Sequence, residues 1–134
     1  YKGGIVPLAE YAKQPYDRDI LVRVLVPKTQ AKFCYQSVRN SQTDFPVLTC
    51  AAAKTAAGSF RFAIGARPGK AVVWNLEPQA GETAEERATR FADAVCAEIK
   101  TESNMRGSAA YRRHLAGVLV KRAVRRLEAA PDAE

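Results

Sequence analysis

The 134-residue sequence predicts an α+β domain, in which an antiparallel β-meander is followed by two to three helices packed on one face of the sheet. Two patterns predict this class. Alternating or β-branched apolar runs between Gly- and Pro-containing turns fill the first half, whereas apolar residues recur at three- and four-residue spacing in the second. The composition, 47% hydrophobic and 26% charged, is that of one globular domain.

Five strands are predicted in chain order. Residues 20–26 form a nearly continuous β-branched run that stops at Pro27, so we expect a well-covered strand there. Residues 31–38 alternate, with Phe33 and Tyr35 on one face. The other three are residues 45–53, 59–64 and 71–74, separated by the turn sequences AAG and GARPGK. The first of these three follows the turn sequence RNSQTD.

Two long helices are predicted after the strands. Thr83 and Glu86 form a T-x-x-E capping box at the start of the first, which extends to about residue 99. The second begins at the N-cap Ser108 and continues to about residue 129, with a very broad apolar arc. Arg112 projects into that arc, and must reach carboxylates or backbone carbonyls because a buried unpaired charge is very costly.

Residues 1–18 differ from the rest of the chain, because Gly and Pro punctuate them without any regular period. Residues 1–18 are therefore predicted to form a connector, and residues 19–134 are predicted to form the α+β domain. Since the first residue is Tyr1 and not Met, we expect the chain to be either processed or cut from a longer polypeptide. No apolar run reaches the ~20 residues of a membrane-spanning helix, so no such span is expected.

The cysteine and histidine residues of the sequence are not arranged as an active site that could work without a partner. Cys34, Cys50 and Cys96 are scattered and unpaired, which predicts buried free thiols and a reducing, cytoplasmic compartment and not a disulfide or zinc site. His114 is the single histidine and falls on the polar side of its helix, so no nucleophile–histidine pair is expected. We predict neither catalytic residues nor metal ligands.

The GARPGKA sequence at residues 65–71 is not a nucleotide-binding P-loop. Three residues separate its glycines where a P-loop has four, and Ala71 stands where Ser or Thr would hold magnesium. It therefore predicts a hairpin turn.

The formal net charge of +7 leaves a small basic RNA- or protein-binding module as the alternative function. Against nucleic-acid binding, the aromatic residues alternate as core residues do, and no RNP-like or KH-like motif occurs. We therefore expect no nucleic-acid partner.

The second helix carries a long motif, R-x-S-A-x-Y-R-x-x-L-x-x-x-L-x-x-R-A. It resembles the end of the FAD-carrying subunit of molybdenum hydroxylases, the xanthine dehydrogenase and carbon monoxide dehydrogenase family. The segment from Asp44 to Val47 and the hairpin at 65–72 agree with the family's order, so the resemblance extends from about residue 19 onward. The matched positions are Arg106, Ser108, Ala109, Tyr111, Arg112, Leu115, Leu119, Arg122 and Ala123.

The resemblance implies a C-terminal α+β domain that packs on a preceding FAD-binding domain, whose tail would be residues 1–18. FAD would belong to the full-length subunit and would not be held by this part alone. Molybdopterin and 2Fe-2S clusters would lie on partner molybdenum and iron–sulfur subunits. The domain would support electron transfer from those clusters to FAD, as a non-catalytic part of a multi-subunit oxidoreductase.

Four residues are implied near the flavin by the same resemblance. Phe45 would lie against the flavin ring, and Asp44 would fix the loop that presents it by pairing with Arg39. Tyr35 would approach the same region from the adjacent strand. An apolar or aromatic side chain at that place excludes water and tunes the potential of the cofactor.

Overall fold

The computed structural model describes residues 4–15 and 20–129, where four strands and three helices follow one another along the chain. The strands are β1 (Lys32–Val38), β2 (Leu48–Lys54), β3 (Phe60–Gly65) and β4 (Val72–Leu76). The helices are α1 (Leu8–Tyr11), α2 (Ala84–Glu98) and α3 (Ala109–Ala129). The strands pair antiparallel in the order β1-β2-β3-β4, which confirms the predicted meander followed by helices.

The core lies between the sheet and the two long helices. Alternate residues of β2 and β3 point inward and are buried, as period-two patterning requires. Phe91 of α2 packs edge-on against Phe60 and Phe62, with ring centroids 5.4 and 5.8 Å apart. The apolar arc of α3 is buried from Leu115 to Leu127, which confirms that it is the central helix.

The opposite face of the sheet is open among the described residues. Tyr35, Ala51, Ala63 and Val73 form one row across the four strands of that face. Phe33 and Tyr35 are 67% and 59% exposed. The prediction that they are core residues is therefore wrong: alternation places them on one face of the strand, but it does not say which face the helices cover.

The prediction of a covered strand at residues 20–26 is wrong in this structure. These residues belong to no strand, and their large apolar side chains are 56–82% exposed. A β-branched run becomes a strand only where a neighbouring strand supplies hydrogen-bond partners. The predicted connector, residues 1–18, is described only over 4–15, where α1 forms. Its other residues, 1–3 and 16–18, lie outside the described part, as does residue 19 at the predicted boundary.

The predicted helix starts and the hairpin are confirmed. The backbone N–H of Glu86 donates to Thr83 Oγ1 at 3.2 Å, and the N–H of Thr83 donates to Glu86 Oε2 at 2.8 Å. Ser108 Oγ accepts from the N–H of Tyr111 at 3.1 Å, as an N-cap does. The GARPGK turn joins β3 to β4. β2 begins at Leu48 and not at residue 45, because the loop before it continues through Pro46. None of the described helices combines the length and apolarity that crossing a membrane requires.

Candidate functional site

Three connections meet at one end of the sheet, which we call the loop end: residues 39–47, 66–71 and 99–108. The 99–108 connection is hydrogen-bonded to each of the other two. Asn40 Nδ2 donates to the carbonyl of Arg106 at 3.2 Å, and Arg67 Nη1 donates to the carbonyl of Lys100 at 2.6 Å. Segments that are distant in sequence therefore form one continuous surface.

The most exposed aromatic ring of the loop end belongs to Phe45. Its side chain is 74% exposed, while its N–H donates to Asp44 Oδ1 at 2.7 Å. The same carboxylate oxygen accepts from Arg106 Nε at 3.1 Å. The Arg106 guanidinium lies over the Phe45 ring, 5.3 Å from its centroid, in a cation–π contact. Together with Arg39, these residues form what we call the Phe45 corner.

Asp44 is hydrogen-bonded within its own loop and to the 99–108 loop, through groups other than those expected. Arg39 Nη1 donates to the backbone carbonyl of Asp44 at 2.5 Å, whereas the Asp44 carboxylate is bonded by Arg106. The predicted carboxylate pairing with Arg39 is therefore corrected. The bond to Arg106 spans 62 residues of sequence, so spacing does not reveal it. The signal that the sequence does offer is that Arg106 is the first residue of the long motif, which begins in the 99–108 loop and continues into α3.

Tyr35 is separate from the corner in this structure. It lies in the middle of β1 on the open face of the sheet, opposite Ala51 of β2. None of the contacts found among the described residues joins it to Phe45 or Asp44. The structure thus brings together Arg39, Asp44 and Phe45, and adds Arg106.

Beneath the corner, Arg112 is 1% exposed and makes four hydrogen bonds. Nε donates to the carbonyl of Val47 at 2.9 Å, and Nη1 donates to the carbonyls of Glu102 and Gly107, both at 2.6 Å. Nη2 donates to Asn104 Oδ1 at 2.5 Å. This confirms that a buried arginine on this helix reaches backbone carbonyls.

The three thiols are not activated nucleophiles. Burial raises the pKa of the Cys50 thiol to about 12, and burial also raises the pKa of Cys34 and of Cys96. Protonated thiols react slowly, so these cysteines are packing residues. Cys50 is buried as predicted, whereas the other two are half-buried. Within residues 4–15 and 20–129, no three His, Cys, Asp or Glu side chains converge to hold a metal ion.

A comparison with known protein families matches residues 33–127 to the CO dehydrogenase flavoprotein C-terminal domain. That range includes the sheet, the Phe45 corner and nearly all of α3. The chain belongs to this family. This match confirms the resemblance seen in the motif that leads into α3. The residues of the Phe45 corner all lie within the matched CO dehydrogenase flavoprotein C-terminal domain.

Solved structures share this domain's fold. A carbon monoxide dehydrogenase from Hydrogenophaga pseudoflava, which lacks the Mo-pyranopterin moiety of its cofactor, aligns with a TM-score of 0.64 and 23% identity. The alignment covers 79% of this chain and 39% of that one. The reconstituted CO dehydrogenase from Oligotropha carboxidovorans gives 0.61 and 22%, over 79% of this chain and 40% of that one.

Quinoline 2-oxidoreductase from Pseudomonas putida 86 aligns with a TM-score of 0.59 and 20% identity, over 75% of this chain and 37% of that one. The chain therefore spans 37–40% of the length of these solved chains. Among curated protein sequences, none matches the chain significantly.

Proposed function

We propose that the chain is the C-terminal domain of the FAD-carrying subunit of a molybdenum hydroxylase and is not catalytic by itself. It would pack on the flavin-binding part and support electron transfer from iron–sulfur clusters to FAD. FAD would accept those electrons and pass them to NAD or another acceptor, while molybdopterin and 2Fe-2S clusters would lie on partner subunits. The observation that carries this proposal is the family match over residues 33–127. The scattered free thiols favour a cytoplasmic enzyme.

Two exposed apolar surfaces support packing on a preceding domain. One is the part of the open sheet face that carries Phe33, Tyr35 and Val73, beside the polar pair Arg61 and Asn75, and the other is the run of residues 20–26. Large contiguous apolar surfaces usually mark interfaces. In the proposed subunit, the flavin-binding part would cover the open face and supply a strand to pair with residues 20–26, with residues 1–18 as its tail. Tyr35 would then contact that part from the sheet.

In this proposal the Phe45 corner would contact the ring of the flavin and not its pyrophosphate. An exposed aromatic side chain backed by a guanidinium suits contact with a planar heteroaromatic ring. The two hairpin cations are instead used internally. Arg67 Nε donates to the carbonyl of Lys70 at 2.8 Å and its Nη1 to that of Lys100, while Lys70 Nζ donates to the carbonyl of Ala12. The phosphates of FAD would therefore be held by the preceding part, and this chain alone would not retain FAD.

The first test is the intact mass and absorption spectrum of the native polypeptide purified from its source. The proposal predicts a yellow polypeptide with flavin bands and a mass well above the 14.6 kDa of this chain. A colourless polypeptide of about this mass would contradict it. Steeply salt-dependent RNA binding by such a polypeptide would favour the basic RNA-binding module instead.

The second test replaces Phe45 in that flavoprotein. Phe45→Ala removes an apolar group from the ring, so water reaches the reduced flavin and stabilises its charge. We expect the midpoint potential to rise by about 30 mV, a tenfold change in a two-electron equilibrium. Phe45→Trp keeps the aromatic contact and serves as the matched control, with a potential close to that of the wild type. Equal midpoint potentials in the wild type and the two variants would show that Phe45 does not contact the flavin.

A further inference from the structure

Arg112 is a buried cation without a carboxylate partner among the described residues. Its four acceptors are the carbonyls of Val47, Glu102 and Gly107 and the side-chain amide oxygen of Asn104, all of them neutral. A buried charge of this kind contributes little net stability compared with an apolar side chain of similar volume. Stability alone is therefore a poor explanation for an arginine at this position of α3.

The acceptors lie on two separate segments of the loop end. Val47 follows Phe45 by two residues and belongs to the 39–47 loop. Glu102, Asn104 and Gly107 belong to the 99–108 loop and flank Arg106. One guanidinium thus bonds the backbone on both sides of the contact between Phe45 and Arg106.

The turn that carries Arg106 is fixed in the same way. The backbone N–H of Arg106 donates to Asn104 Oδ1 at 2.9 Å, so this oxygen accepts hydrogen bonds from both Arg106 and Arg112. Asn104 and Gly107 also exchange two backbone hydrogen bonds of 3.1 Å. Asn104 Oδ1 therefore links the backbone of Arg106 to the guanidinium of Arg112.

A second observation, independent of hydrogen bonding, shows how closely the two loops approach. A Cβ placed on Gly107 would lie 3.1 Å from Val47 Cγ1 and 3.3 Å from a ring carbon of Tyr111. Only glycine fits there without moving a neighbour. The two loops are therefore packed together at Val47, next to the carbonyl that Arg112 bonds.

From these contacts we infer that Arg112 is the positioning residue of the Phe45 corner. It holds the 39–47 and 99–108 loops in one register, so that Arg106 meets the Asp44 carboxylate and the Phe45 ring. The planar fork of arginine is required, because four of its five N–H donors are used in different directions. Lysine offers three donors from a single atom and cannot replace it. Only the contact of Phe45 with a flavin rests on the proposed function; the positioning of the two loops by Arg112 does not.

Hydrogen exchange by mass spectrometry on the native full-length polypeptide tests the inference without reference to the flavin. Arg112→Met and Arg112→Lys are compared with Arg113→Met, a change of the exposed neighbour on the same helix. We expect both Arg112 variants to speed amide exchange in residues 39–47 and 99–108 by about tenfold, with β3 and α2 unchanged. The Arg113 variant should exchange like the wild type.

Chemical rescue provides the second arm. In Arg112→Ala, guanidinium ion at a concentration too low to denature should enter the vacated site and restore slow exchange in the same two loops. Methylammonium, which lacks the fork, should not restore it. Gly107→Ala should also speed exchange in both loops, although it leaves the guanidinium in place.

Three results would overturn the inference: unchanged exchange in the Arg112 variants, uniform acceleration over the whole domain, or equal rescue by the two cations. Uniform acceleration would make Arg112 a residue of general stability. If the Arg112 variants do not fold, the Gly107→Ala variant tests whether the two loops are held together. Faster amide exchange in both loops would support the inference, and faster exchange in only one loop would contradict it. None of these results depends on bound FAD, so they are distinguishable from failure of the proposed function.

Discussion

The absence of a side chain at Gly117 lets α3 pack closely against Cys96 of α2. At Gly117 a methyl group would lie 2.9 Å from Cys96 Sγ, and this thiol donates to the carbonyl of Arg113 at 3.4 Å. Overpacking at this contact should cost about 1–3 kcal/mol, against the ~1 kcal/mol that alanine gains over glycine inside a helix. Gly117→Ala should therefore lower the free energy of unfolding by up to about 2 kcal/mol. The midpoint of urea unfolding measures the difference.

The double variant Cys96→Ala/Gly117→Ala is the control for that contact. Removing the sulfur makes room for the new methyl group, so the double variant should be more stable than Gly117→Ala alone. If both proteins unfold at the same urea concentration, the contact with Cys96 is not the reason for glycine at this position.

Single residues also show where sequence alone can predict the site. Arg112 was placed correctly because helical periodicity fixes which face of α3 it occupies, and burial then dictates its carbonyl partners. The Asp44–Arg106 bond could not be predicted in this way, because it depends on how two loops fold back over 62 residues. Local geometry is readable from sequence, whereas loop-to-loop contacts are not.

The elements differ in predictability for the same reason. The two long helices are predicted closely, since their hydrogen bonds join residues four apart and their caps are local, whereas α1 lies in the predicted connector. Residues 20–26 have the composition of a strand but form none, because strand bonds need a partner that the described chain does not offer. The alternation of β1 was correct, yet the covered face could be assigned only once α3 was placed.

The first turn of α2 depends on its capping box. Thr83→Ala removes the hydroxyl that accepts from the N–H of Glu86, and should lower the free energy of unfolding by about 1 kcal/mol. Thr83→Ser keeps the hydroxyl and should retain most of the stability. Urea unfolding of the three proteins measures the effect. Equal midpoints for the alanine and serine variants would mean that the cap contributes nothing.

Across the whole molecule, a network of charges ties β2 to both long helices. Glu82, just before α2, bonds Arg90 Nε at 2.7 Å and Arg87 Nε at 3.3 Å. Glu128 of α3 bonds Lys54 of β2 at 2.8 Å and also bonds Arg87. The network therefore joins the three elements at the end of the sheet opposite the loop end.

This network makes stability depend on pH in the acid range. The hydrogen bond from Arg90 is the largest of the effects that lower the pKa of Glu82 from 4.5 to about 2. Because the folded carboxylate binds protons less readily than the unfolded one, its contribution is complete above pH 4.5 and is lost as the pH falls towards 2. Glu82→Gln should therefore be less stable than the wild type at neutral pH, and the difference should shrink in acid.

Urea unfolding at neutral and acid pH checks that prediction. Glu77→Gln is the matched control, because Glu77 bonds Arg90 through its backbone carbonyl, which the substitution keeps. Its unfolding should follow the wild type at both pH values. A Glu82→Gln protein that loses stability in acid as steeply as the wild type would assign the acid sensitivity to other carboxylates.

The exposed run at residues 20–26 has a consequence for biosynthesis. A stretch of exposed β-branched residues that belongs to no strand is a template for pairing between identical chains, as in aggregating edge strands. Arg23 is the one charge within the run, where it acts as a gatekeeper against such stacking. If the chain is synthesised without a partner that covers this run, it would depend on Arg23 to avoid aggregation.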